Sequence, residues 1–298
     1  MDIDGVFSGG GMKAIAFVGA IEIIEREGFV FKNVAGTSAG AIIAALISAG
    51  FKASEIKSII GDVDFSDFLD APKTMLPFFP VMKWISVYWR LGLYKGDVFE
   101  RWITKILATK GIRTFGDIKP PCSLKIIASD LTNGRIIVLP DDLVNYGINP
   151  NAFPIGKAVR MSAGIPYFFE PVKIYNRKAK KAVIVDGAVL SNFPIWLFDN
   201  EKQRPVVGLR LSPQLDNIPP NEINNAFGMF QAIFETMMGA HDDRYISKKI
   251  ADRIIFIPVD IISFVKFDIT SDEKEKLIEI GRLKAEIYLK AKKREWRK

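Results

Sequence analysis

The segment Gly36-Thr37-Ser38-Ala39-Gly40 constrains this chain more tightly than any other. An apolar, strand-like stretch precedes it (Phe29-Val30-Phe31, then Val34-Ala35), and a helix-forming run, Ala41 through Ile47, follows it. A chain that passes from strand to helix over so few residues must turn sharply. A serine at such a turn projects its hydroxyl outward with a helix start behind it. Glycines on either side avoid a collision between side chain and neighbouring backbone. Alone, the pentapeptide fits a packing junction equally well, because small residues are common where elements approach closely.

A second segment lies upstream. Asp4-Gly5-Val6-Phe7-Ser8 reads as a short strand, Gly9-Gly10-Gly11 follow, and an apolar helical run extends from Ala14 to Glu25. Three glycines between a strand and a helix leave backbone N–H groups converging at a helix N-terminus. Such a nest suits an anion, or the oxyanion that develops when a carbonyl is attacked. Phosphate-loop readings fail. A Walker pattern needs Lys-Ser/Thr where Gly11-Met12 stands, and Ala14 occupies the last glycine of the dinucleotide spacing.

The third segment is Lys181-Ala182-Val183-Ile184-Val185-Asp186-Gly187-Ala188. A β-branched strand runs directly into Asp186, which places a carboxylate at a strand end, where the ligand sites of open α/β sheets collect. A plain Asp-Gly turn is the alternative.

Taken together, the glycine triplet, the serine elbow and Asp-Gly-Ala resemble the patatin-like phospholipase family. The segment Met161-Ser162-Ala163-Gly164-Ile165-Pro166-Tyr167-Phe168-Phe169-Glu170-Pro171-Val172 is also similar to the family's stretch before the Asp strand. The resemblance covers most of residues 3–195 in order and implies a Ser–Asp dyad. Ser38 would be the nucleophile and Asp186 the general base, with Gly9, Gly10 and Gly11 holding the oxyanion. Lys13, Gly36, Gly40 and Gly187 would be supporting motif residues. Where the family usually has Arg and Gly, this chain has Lys13 and Ala14. Lys keeps the charge but not the planar fork. Free Asp has a pKa of about 3.9, so the mechanism requires burial to raise its basicity.

The implied fold is a three-layer α/β/α sandwich with a mainly parallel central sheet. An inserted helical cap is expected at about residues 62–115, and a basic helix at 271–298. The implied activity is hydrolysis of fatty acyl esters, of the phospholipase A or lysophospholipase type, with lipid as substrate and no cofactor. An acyltransferase using the same acyl-enzyme and a non-catalytic lipid-binding protein are the alternatives. A further rival is an α/β-hydrolase triad of Ser38, Asp186 and His241, the single histidine. Three features oppose it. The elbow comes after room for only about two strands, Asp186 sits at a strand end, and His241 lies on a helical pattern with Phe230, Phe234, Met237, Met238 and Tyr245.

The remaining composition narrows the partners. Apolar residues make up 49% of the 298, enough for a full core. One cysteine, Cys122, allows no intrachain disulfide, which fits a reducing cytoplasm. The start, Met1-Asp2-Ile3-Asp4, is acidic and unlike a signal peptide. Residues 34–51 lack charge but begin with the elbow and read as a buried helix, not a span. No His/Cys/Asp cluster has metal-ligand spacing. The formal charge of +7 favours anionic partners. No nucleic-acid motif is present, so the inner surface of a membrane is the better candidate. Residues 75–95 are rich in aromatics. If helical from Val81, they gather Lys83 and Arg90 in a narrow polar stripe beside Trp84 and Trp89, as an interfacial helix would. A core helix of the cap is the alternative. Thr270-Ser271-Asp272-Glu273 resembles a capping box, and Phe264, Phe267 and Ile269 are candidates for lining an acyl pocket.

Overall fold

The near-continuous apolar strands read from the sequence need cover on both faces, and a parallel sheet with helical crossovers supplies it. The computed structural model describes residues 1–70, 87–175, 180–199, 203–212, 223–243, 246, 248–259 and 267–296. Its strands are β1 (Asp2–Phe7), β2 (Val30–Thr37), β3 (Gly92–Tyr94), β4 (Ser123–Asp130), β5 (Arg135–Leu139), β6 (Tyr167–Phe169), β7 (Val172–Tyr175), β8 (Lys181–Asp186), β9 (Val206–Ser212) and β10 (Ile254–Pro258). Its helices are α1 (Ala16–Arg26), α2 (Ala39–Ser48), α3 (Ala53–Asp62), α4 (Asp97–Thr109), α5 (Ile155–Ser162), α6 (Ala226–Asp243), α7 (Lys248–Ala251) and α8 (Ser271–Trp296).

The main sheet runs β10-β9-β1-β2-β4-β8-β7, with β5 also paired to β4. Strands β10, β9, β1, β2 and β4 are mutually parallel, whereas β5 and β8 run antiparallel to β4. Ile3 and Phe7 of β1 face the larger core, which also takes in α1, α2, α5 and α8. Val6 faces a smaller cluster with Ala35, Phe193, Ile195, Phe198 and Ile254. The cover on this second face is thinner. Among the described residues it consists of a 3-10 turn, Ile195–Phe198, and the single turn of α7.

Helix α1 is buried almost all round, with Ala16, Phe17, Val18, Ala20 and Ile21 each at most 0% exposed. A helix this apolar needs a partner on each side. The sheet is one and α8 the other. The two helices cross at backbone contact: a Cβ on Gly19 would lie 1.8 Å from the Ile278 carbonyl oxygen, and one on Gly281 would lie 1.8 Å from that of Ala16. Arg282 and Glu22 flank the crossing with a 2.7 Å ion pair. Helix α8 begins with a reciprocal cap: Thr270 N donates to Glu273 Oε2 at 2.9 Å, and Glu273 N donates to Thr270 Oγ1 at 3.2 Å. One turn on, the buried Lys274 ammonium donates to the carbonyls of Ile60, Gly61 and Val63, closing the end of α3.

Among the described residues, the stretch between α3 and β4 includes a 3-10 turn (Phe65–Phe68), β3 and α4. Strand β3 pairs with β6 as a separate two-stranded ribbon, Gly92 opposite Tyr167. Asp70 ties the base of this stretch together. Its carboxylate accepts from Gly96 N at 2.6 Å and Val98 N at 3.0 Å, and its carbonyl accepts from Lys95 N at 3.2 Å. Among the described residues no helix is long and apolar enough to cross a membrane.

Alanine in place of glycine ordinarily stabilises a helix by about 1 kcal/mol. At position 281 the sign reverses, because the added carbon meets backbone that cannot yield without separating the helices. Gly281→Ala is expected to destabilise the fold by roughly 1–3 kcal/mol, measured by chemical denaturation. A gain in stability would contradict the close crossing.

Candidate active site

Strand β4 has three neighbours, and their order creates the site. One of its edges pairs with β5 over residues 126–130. The opposite edge is shared: residues 123–127 pair with β2, and residues 128–130 pair with β8. Because β2 is parallel to β4 and β8 is antiparallel, both point their C-terminal ends at the same spot. Thr37 stands opposite Ile127 and Asp186 opposite Ala128, so the two strand ends meet head-on. Ser38 and Asp186 are the residues at that meeting. Ser38 Oγ donates to Asp186 Oδ2 at 2.6 Å across 148 residues of sequence.

The turn at Ser38 is strained. Its φ of 54° and ψ of −126° match the first central position of a II′ turn, a place that favours glycine. Such a conformation costs on the order of 1–3 kcal/mol. Close approaches hold it: a Cβ on Gly36 would fall 2.3 Å from the Gly40 carbonyl oxygen, and one on Gly40 would fall 2.4 Å from that of Phe7. Gly187 sits in the notch between the strand ends, where a Cβ would lie 2.3 Å from the Ile127 carbonyl oxygen. The Ser38 N–H donates to Ser162 Oγ at 2.9 Å, and the Ser162 hydroxyl donates to the Ile127 carbonyl at 2.5 Å. Asp186 N donates to the carbonyl of Gly164, so the 161–172 segment backs both residues.

Asp186 is fully buried. Burial raises its carboxyl to about 7, against opposition from the Ser38 hydroxyl and the Ala188 N–H, which donates to Oδ1 at 2.8 Å. Desolvation wins because two hydrogen bonds replace only part of the hydration of a carboxylate. A carboxyl tuned to this range can accept a proton from an alcohol near neutral pH.

The glycine triplet abuts the serine: a Cβ on Gly9 would lie 3.1 Å from Ser38 Cβ. Of the three glycines expected to hold an oxyanion, Gly9 has its amide engaged. Its N–H donates to the Asn192 carbonyl at 3.0 Å. Among the described residues no hydrogen bond engages the amides of Gly10 or Gly11. Lys13, in the 3-10 turn Gly11–Ile15, is partly exposed, and its N–H donates to the Gly10 carbonyl. The methyl of Ala14 lines the adjoining pocket, which explains why alanine fits there.

That pocket is lined in part by Ser38 and has a volume of about 90 Å³. Ser38 supplies its one hydroxyl; the walls come from Met12, Ile15, Ile42 and Ile43 on one side and Phe65, Phe68, Phe99 and Trp102 on the other. Phe267 also lines it, as the sequence suggested, while Ile269 packs against the main core and Phe264 lies outside the described residues. An apolar slot with an alcohol in its wall can receive an alkyl chain and present its ester to attack.

Other expected residues stand elsewhere. Trp89 is 76% exposed and packs edge-on against Tyr88, their ring centroids 5.2 Å apart. Arg90 pairs with Glu170 at 3.4 Å. Lys83 and Trp84 lie outside the described residues. His241 falls on α6, and its side chain is likewise outside the description. Sequence reasoning assigned no role to Ser162 or Asn192. Ser162 carried a signal, its place inside the 161–172 resemblance; Asn192 carried none.

A family model described as Patatin-like phospholipase matches residues 5–199. YqhO of Bacillus subtilis (strain 168) is 54% identical over 290 residues, covering 97% of this chain and 99% of its own. The probable lipid hydrolase 463L of Invertebrate iridescent virus 6 is 25% identical over 217 residues, covering 67% of this chain and 65% of its own. Among solved structures, VipD from Legionella pneumophila superposes with a TM-score of 0.60 at 16% identity, covering 97% of this chain and 67% of VipD. The type III effector protein ExoU gives a TM-score of 0.53 at 15% identity, with 97% of this chain covering 53% of ExoU. Serine elbow, glycine loop and strand-end aspartate thus occur within the matched span and on the shared fold, and the chain belongs to the patatin-like phospholipase family.

Proposed function

We propose that this protein hydrolyses fatty acyl esters of lipids, as a phospholipase A or lysophospholipase, through Ser38 and Asp186. The observation that carries the reading is the 2.6 Å hydrogen bond to a buried carboxylate from the Ser38 hydroxyl, whose residue lines an apolar pocket. Family membership and the name of the viral relative support a lipolytic hydrolase.

The steps follow from the geometry. The acyl chain enters the pocket and its carbonyl carbon comes to Ser38 Oγ. As Oγ forms its bond to that carbon, its proton passes to Asp186 Oδ2. The carbonyl oxygen gains negative charge and meets the amides of Gly10 and Gly11. Collapse of the tetrahedral species expels the alcohol, which takes the proton back from Asp186, and leaves the acyl chain on Ser38. Water then gives a proton to Asp186 and its oxygen to the acyl carbon, and Ser38 is restored as the fatty acid leaves. The direct Ser38–Asp186 contact disfavours a histidine-mediated triad, in which the imidazole would stand between them.

Loss of either partner is expected to lower kcat on a soluble short-chain ester by on the order of 10³-fold or more, in Ser38→Ala and in Asp186→Asn. His241→Ala is expected to retain turnover; its loss in a folded protein would restore the triad.

The base works only when ionised. With its carboxyl near 7, kcat/KM should rise with pH through about 7 and level off above it. The same group makes an opposite demand on stability. Its folded value stands above the ordinary 3.8, so between the two the folded chain keeps a proton that the unfolded chain has released. Stability is therefore greatest below the lower value and falls as pH rises toward about 7. Asp186→Asn removes that titration. The variant should gain stability relative to the native protein between about pH 4 and pH 8, by thermal unfolding at both. A gap that does not change with pH would argue against a buried ionisable carboxyl.

The cap region carries the proposed membrane contact. Tyr88 and Trp89 are exposed at 74% and 76%, and the chain is basic overall. Replacing both by Ala should weaken binding to anionic vesicles by roughly tenfold and leave the soluble-ester rate unchanged. Equal loss on both measures would assign these rings to packing.

A further inference from the structure

The backbone N–H of Ser38 raises a separate question, because it lies just past the β2 ladder, whose last residue paired to β4 is Thr37. In a buried site that N–H must find another acceptor. It finds Ser162 Oγ, at 2.9 Å. Ser162 is the last residue of α5 and is 0% exposed. Its hydroxyl in turn donates to the carbonyl of Ile127 at 2.5 Å. Ile127 is the β4 residue opposite Thr37, at the point where pairing with β2 gives way to pairing with β8. One hydroxyl therefore bridges the nucleophile's own amide to the strand that aligns both halves of the dyad.

The direction of this bridge is determined. A serine hydroxyl has a single proton and two lone pairs. Because the proton is committed to Ile127, a lone pair faces Ser38. Ser162 lies outside the pocket wall, whose nearest members here are Ala163 and Ile165, so it is not placed to touch an acyl chain. An alanine would fill nearly the same volume and keep the packing, but it would leave the Ser38 N–H without its acceptor and release the elbow from β4.

We infer that Ser162 is a positioning residue: it holds the Ser38 amide and so keeps Ser38 Oγ at the distance and angle from which it can attack and pass its proton to Asp186. The inference rests on the reading of Ser38 as nucleophile. A displacement of about 1 Å at a reacting atom can cost on the order of 10²-fold in rate, whereas substrate binding in a separate pocket is little affected.

The test compares native protein with Ser162→Ala and Ser162→Cys. Two quantities are read: the second-order rate of Ser38 labelling by a fluorophosphonate, and kcat and KM on a soluble short-chain ester. For Ser162→Ala the labelling rate and kcat should both fall by about 10²-fold, with KM within about twofold of native. Labelling at the native rate, or a raised KM with unchanged kcat, overturns the inference. If Ser162→Ala does not fold, Ser162→Cys decides. Its thiol is near the same size but a weak donor and acceptor, so labelling should slow by about tenfold; native-rate labelling overturns the inference. A native protein that takes no label at Ser38 overturns the nucleophile reading and this inference with it. A labelled native protein with an unaffected Ser162→Ala overturns this inference alone.

Discussion

Everything in the site depends on how one edge of β4 is divided. Five residues of that edge bind β2 and the next three bind β8, with no gap between them. Strand direction does the rest. A parallel strand and an antiparallel strand laid end to end along a common neighbour must bring their C-termini together. Side chains just past those termini then face each other whatever their separation in sequence. The 2.6 Å contact between Ser38 and Asp186 is a product of sheet pairing, and it needs no flexible loop to close it. Sites carried on strands are held more firmly than sites carried on loops.

The arrangement sets chemistry against stability at two adjacent residues. Ser38 holds a backbone conformation that glycine would prefer, and Asp186 is a carboxylic acid with no access to solvent. Each is unfavourable in isolation. Their surroundings offset the cost with hydrogen bonds aimed at particular atoms: Ser162 on the Ser38 amide, Ala188 on one carboxylate oxygen, and Ser38 itself on the other. Neighbouring buried hydroxyls extend the lattice, since Thr37 Oγ1 donates to the Ser191 carbonyl at 3.1 Å and Ser129 Oγ to the Gly187 carbonyl at 3.3 Å. Burial completes the setting, because desolvation is what lifts Asp186 above its ordinary, weakly basic state.

How much of this the sequence disclosed follows from how local each feature is. The elbow at Ser38 was legible because its cause lies within five residues: glycines at 36 and 40, a strand before them and a helix after. Asp186 was legible for the same reason, as the end of a β-branched run. The direction of β8 was not. Nothing in Lys181–Asp186 distinguishes a parallel from an antiparallel strand, so the head-on junction with β2 had to come from pairing across the sheet. The capture of the Gly9 amide by Asn192 is likewise tertiary, with no pattern near either residue to announce it. Strands β3 and β6 are three residues each, too short for alternation to register. Phe65, Phe68, Phe99 and Trp102 do recur at helical spacing, yet periodicity could not say that the face they share borders a cavity. The resemblance to a family marked the segment around Ser162, but only coordinates reveal which atom its hydroxyl holds.

The crossing of α1 with α8 has a consequence for the order in which the molecule can be made. Residues 16–26 leave the ribosome well before residues 271–296, the helix that covers their outer face. Contacts between such distant parts form late, after the loop between them has paid its closure entropy. Until α8 has been made, the nascent chain therefore carries an uncovered apolar helix beside a growing sheet. Exposed surface of that kind is what chaperones bind and what promotes aggregation. The two glycines at the crossing allow so close a fit that α8, once docked, seals the outer face of α1.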